Sequence, residues 1–134
     1  MKIERMLVWL AAASLVALAS AARAGDLYVI ANSGTTVSPE EVRDVFLGEK
    51  QFAGTVKLVP VDNAAAQDAF LARVMKMESS KYTSSWMKKS FRDGVSPPAL
   101  KGSDAETIEF VKRTAGAVGY VGASPAGVSV VGKF

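Results

Sequence analysis

The chain has 134 residues, of which 16 are Lys or Arg and 13 are Asp or Glu, and it contains neither cysteine nor histidine. Without cysteine there are no disulfides and no thiolate chemistry, and without histidine there is no Ser–His pair and no His-ligated metal site. A net charge of +3 is too small to indicate a nucleic-acid surface.

Met1 to Ala24 has Lys2 and Arg5 at its front, an apolar run from Met6 to Ala19, and the small-residue ending Ala22-Arg23-Ala24. This pattern predicts a signal peptide over 1–24, cleaved after Ala24, and one domain over 25–134. The apolar run is shorter than the roughly 20 residues of a membrane span. The expected product is exported to the periplasm, with no membrane insertion after cleavage. Removal of Lys2, Arg5, Arg23 and Glu4 lowers the net charge from +3 to +1, which again speaks against nucleic acid.

Asp26 to Ala31 is a short apolar run of β-formers and predicts a strand buried on both faces. Asn32-Ser33-Gly34-Thr35-Thr36 follows, rich in hydroxyls and just ahead of a helix start. Such residues can converge N–H and Oγ groups on an anion. They are also ordinary turn formers, with Gly34 at a positive φ. Ser38-Pro39-Glu40-Glu41 is a capping box, and Val42, Val45 and Phe46 supply the apolar face of the helix it opens. Val56 to Val61 predicts a second strand, with Pro60 at an edge or near a strand end.

Asp62 or Asn63 is expected to cap a helix whose buried side carries Ala66, Phe70, Val74 and Met77. Ser79 and Ser80 interrupt it, and a further helix places Tyr82, Trp86 and Ser90 on one stripe. Lys88, Lys89 and Arg92 beside that stripe predict a solvated face. Gly94 to Gly102 is expected as a loop, and Ser103 to Glu106 as a second capping box opening a helix through Arg113. Ala117 to Val121 predicts a strand in which Gly119 admits a close neighbour, backbone or ligand. Val128 to Val131 predicts a last strand. The succession is α/β, with helices over a mostly parallel sheet.

Taken in order, Val45-Phe46-Leu47-Gly48, the Val56–Val61 strand, Ser85-Trp86-Met87-Lys88-Lys89 and Gly116-Ala117-Val118-Gly119-Tyr120-Val121 resemble the phosphate-type periplasmic substrate-binding proteins of ABC transporters. The likeness is to their small single-domain relatives and covers roughly Leu27 to Val121. It implies a single-lobe, type 2 periplasmic-binding-protein-like domain that takes phosphate or another small oxyanion. The family's Arg-x-Asp-Gly-Ser-Gly-Thr segment is matched only at Asp62.

The candidate ligand residues are therefore Ser33, Gly34, Thr35, Thr36, Asp62, Asn63 and Gly119. No enzyme is expected, because no nucleophile, base and oxyanion donor stand together; no cofactor or metal is expected either. The alternative is an accessory module that kept the fold, lost the ligand, and self-associates or binds a periplasmic protein.

Overall fold

The computed structural model of the protein describes residues 25–134, and the signal peptide expected over 1–24 lies outside them. The central sheet has five strands: β1 (Tyr28–Ala31), β4 (Val59–Asn63), β5 (Ala99–Lys101), β6 (Ala117–Val121) and β7 (Ser129–Lys133). A separate hairpin consists of β2 (Phe52–Ala53) and β3 (Val56–Lys57). The helices are α1 (Val42–Phe46, after a 3-10 turn at Pro39–Glu41), α2 (Gln67–Phe70, continuing as a π turn over Leu71–Met75), α3 (Ser79–Asp93) and α4 (Asp104–Arg113).

In the sheet the order is β5-β4-β6-β1-β7. β4 is parallel to β5 and β6, and β1 is antiparallel to β6 and β7. Four strands therefore run one way and β1 alone runs against them, so the mixed α/β architecture has the expected mostly parallel sheet. This reversal of β1 governs where the functional candidates fall.

Side chains alternate across the central strands, as a pleated sheet requires. Val29, Ala31, Val118 and Tyr120 face α1, α2 and α3, where they join Phe46, Phe70, Met75 and Trp86 in the larger core. Ile30, Val61, Ala117 and Val121 face the other way, onto Val111 of α4. Tyr120 stacks on Phe70 at 3.9 Å between ring centres, and Phe46 meets Phe70 edge-on at 4.7 Å. Each such pair contributes about 0.5–1.5 kcal/mol beyond its buried area.

Local sequence explains most boundaries. Glu41 Oε1 accepts from the Ser38 backbone N–H at 3.0 Å and from its hydroxyl at 2.9 Å, which anchors the first turn. Ser103 Oγ accepts from Glu106 N at 3.2 Å, and the Glu106 carboxylate takes the Gly102 N–H at 2.9 Å. Gly48 ends α1 at φ 72°, and a Cβ there would stand 2.8 Å from the Trp86 ring. Pro60 sits where β5 has not yet begun to pair, so its missing N–H costs no ladder bond.

Some expectations change. The strand foreseen at Val56–Val61 is divided: Val56–Lys57 belongs to the hairpin, and β4 runs on to include Asp62 and Asn63. Those two residues are thus strand residues rather than helix caps. Asn63 Oδ1 instead accepts the Ala65 N–H at 3.1 Å in a tight turn before α2. The π turn adds a residue to the repeat and rotates the buried face, so Leu71 and Met75 are buried, while Val74 and Met77, where the helical period pointed, are half-buried against the same core. The interruption expected at Ser79 and Ser80 falls just before them, where Lys76 turns at φ 52°, and the two serines open α3. Part of the expected 94–102 loop is β5, whose parallel pairing with β4 no local pattern announces.

Candidate functional site

The loop after β1 spends much of its polar capacity internally. Gly34 N donates to Asn32 Oδ1 at 3.1 Å and Thr35 N donates to the Asn32 carbonyl at 2.8 Å. Thr35 is buried and its Oγ1 accepts the Gly116 N–H at 3.0 Å, while Ser33, Gly34 and Thr36 are exposed. The Asn32 side chain donates to the carbonyls of Val111 and Lys112, tying the loop to the end of α4. Gly34 does not adopt the positive φ expected for it.

Asp62 and Asn63 lie at the opposite end of the sheet. Because β1 runs against its neighbours, its carboxyl end adjoins Ala117, where β6 begins, whereas the end of β4 lies level with the end of β6. About four residue rises, or about 13 Å, separate these levels. Gly119 sits between them and faces α4: a Cβ there would stand 3.0 Å from Val61 and Thr107 and 3.2 Å from Val111. The close neighbour at Gly119 is thus α4. The fold does not bring Ser33, Gly34, Thr35 and Thr36 together with Asp62, Asn63 and Gly119.

Asp62 is 4% exposed and holds two tyrosines. Tyr120 Oη donates to Oδ1 at 2.8 Å, and Tyr82 Oη donates to Oδ2 at 2.9 Å. Burial pushes the carboxyl up from its ordinary value, and the two phenol donors oppose that shift. Burial also pushes both phenols upward, with the Asp62 charge adding to it. Both Asp62 oxygens already have partners, and the pair of tyrosines joins β4, β6 and α3 at one point. Asn63, fully buried, donates to Asp104 Oδ1 at 2.8 Å and to the Tyr120 carbonyl at 3.0 Å. Asp104 Oδ2 takes the Gly122 N–H at 3.1 Å. At the start of α4, where an incoming oxyanion would be favoured, the protein's own carboxylate already sits.

Above Asp62 and Tyr82 opens a groove of about 360 Å³ between α3 and β5. Its rim is apolar and uncovered: Phe91 is 93% exposed, Met87 61% and Leu100 59%. The stripe read from the sequence supplies part of it. Tyr82, Trp86 and Ser90 line its inner side, and the next stripe along the helix, Thr83, Met87 and Phe91, carries the same wall out to the rim. Leu100 needs β5 to reach it and has no signal in the local sequence. Among the described residues no cluster of three acidic or other ligating side chains could hold a metal ion.

The fold, set beside solved structures, has a counterpart. PstS from Borrelia burgdorferi matches over 80% of this chain and 47% of its own, with a TM-score of 0.57 and 14% identity. The fold is periplasmic-binding-protein-like. An ABC-type phosphate transport receptor from Vibrio cholerae matches over 80% of this chain and 46% of its own, with a TM-score of 0.49 and 16% identity. This periplasmic-binding-protein-like chain spans about half the length of the structures it matches. No protein-family model and no curated protein matches it.

Proposed function

We propose that this chain is an exported, non-catalytic, periplasmic-binding-protein-like module that works by protein contact, either with itself or with another periplasmic protein. The observation that carries this reading is the uncovered apolar rim of Met87, Phe91 and Leu100 around the α3–β5 groove. Apolar side chains gathered at a groove favour a contact that removes them from water. The polar groups suited to an oxyanion are instead divided between two ends of the sheet, and Asn32, Thr35, Asp62 and Asn63 are engaged with the protein itself while Ser33 and Thr36 stand exposed. A small-ligand site normally encloses most of its ligand, whereas the groove at the Asp62 end is rimmed by the exposed Met87, Phe91 and Leu100.

The test is a photo-crosslinking amino acid at position 91 in the exporting cell. A discrete crosslinked protein, self or partner, that disappears with Met87→Lys is the expected result. The competing reading is phosphate, or another small oxyanion, at Ser33–Thr36 or Asn63. Phosphate at 100 times its dissociation constant would stabilise the fold by about 2.7 kcal/mol. At about 4 °C or more per kcal/mol the midpoint would rise by roughly 10 °C. Such a rise with phosphate but not sulfate, together with no crosslink, would overturn the contact reading and restore the oxyanion.

A further inference from the structure

A second cavity, of about 600 Å³, lies on the other side of the Pro97–Pro98 segment, which together with Trp86 walls both spaces. Its charged side chains are Lys50, Lys57 and Lys89, and no Asp or Glu lines it. Lys89, expected on a solvated face, is only 8% exposed. Its stem lies against Gly48, where a Cβ would meet Lys89 Cε at 2.9 Å, so the absence of a side chain at Gly48 makes room for it. Among the described residues no carboxylate comes within 4.0 Å of the Lys89 ammonium. Asp93, one turn further along α3, is paired with Arg92, and Lys50 is paired with Glu41 at 2.8 Å. The remaining walls are largely hydrocarbon, from Val45, Leu58, Val95 and Phe110.

The Lys89 stem is buried while its ammonium, with no carboxylate among the described residues within 4.0 Å, stays within reach of the cavity, and an anion that enters beside it makes a charge pair in partly desolvated surroundings. Hydrocarbon walls disfavour a strongly hydrated ion such as phosphate and favour an anion with an apolar body. We propose that this cavity binds a small organic carboxylate, its charge on Lys89 and its hydrocarbon part against Val45, Leu58 and Phe110. Lys57, exposed at the mouth, attracts the anion without enclosing it. The site is separate from the α3–β5 groove, and its test does not depend on any protein contact made there.

Trp86 lines the cavity and its fluorescence reports occupancy. The full exported chain is titrated with octanoate, with 1-octanol as the uncharged match and with inorganic phosphate. Octanoate is expected to give a saturable change at concentrations about tenfold or more below octanol, the usual scale for a hydrogen bond to a charged group. Lys89→Met should erase the preference for octanoate over octanol, and Lys57→Gln should weaken octanoate by a smaller factor while leaving the fold intact. Equal binding of octanoate and octanol to the parent would overturn the proposal. So would phosphate binding more tightly than octanoate, or a preference that survives in a folded Lys89→Met. If Lys89→Met does not fold, the parent's octanoate-to-octanol ratio and the response of Lys57→Gln decide.

Discussion

Tyr120→Phe removes one oxygen from the centre of the protein and leaves the ring that stacks on Phe70. Asp62 Oδ1 then loses its 2.8 Å donor and keeps only the Tyr82 bond to Oδ2. A hydrogen bond to a charged group contributes about 1.5–3 kcal/mol. A domain of about this size loses roughly 4–8 °C per kcal/mol, so the midpoint should fall by roughly 6 to 24 °C. The pH dependence identifies the cause. Asp62 titrates higher in the fold than its ordinary 3.8, so its contribution is greatest below that pH and declines as pH rises through the folded value. Losing a donor raises the folded value further and steepens the decline. The stability gap between parent and Tyr120→Phe should therefore be smallest at the acid end and grow as pH rises, and Asp62→Asn should flatten the parent's decline. The assay is thermal unfolding followed by circular dichroism from pH 4 to 8. A gap that is constant across that range, or a midpoint within about 1 °C of the parent, would refute the argument that the tyrosine satisfies a buried charge.

Glu41 behaves in the opposite sense. The Lys50 ammonium first, then the Ser38 N–H and hydroxyl, hold its carboxyl at about 2 rather than 4.5. Its contribution is present above pH 4.5 and is lost as pH falls towards 2, so Glu41→Gln should be less stable than the parent at pH 7 and equal to it near pH 2 in acid-unfolding curves. A difference that persists at pH 2 would show the effect to be unrelated to the charge. Gly116→Ala is expected to cost about 3 kcal/mol or more, or to prevent folding: φ is 82° there, and the new Cβ would overlap the Lys57 carbonyl oxygen. Denaturant midpoints check this, and a change below about 1 kcal/mol would mean that the hairpin shifts freely away from β6.

Much of the fold is legible in local chemistry. Ser38 with Glu41 and Ser103 with Glu106 open helices, Gly48 closes one, and Tyr28–Ala31 and Ala117–Val121 form central strands, because caps, turns and β-branched runs act over a few residues. The inward stripe of Tyr82 and Trp86 follows from helical period alone. The neighbours of these elements do not. Nothing near Asp26 to Ala31 says that the strand enters the sheet against its neighbours, yet this reversal sends Thr35 to one end and Asn63 to the other. The partners of Asp62 are 20 and 58 residues away, so its environment exists only once β4, β6 and α3 meet. Gly119 was recognisable as a point of close approach, but only the packing of α4 identifies Thr107 and Val111 as what approaches it. Lys89 belongs to a basic run that ordinarily faces water, and it is buried because Gly48, a different helix's terminus, leaves room for its stem. Local sequence settles which elements form, since that depends on backbone propensity and on side chains one turn apart. Site geometry depends on contacts between distant segments, and these arise only when the sheet assembles and the helices cover it.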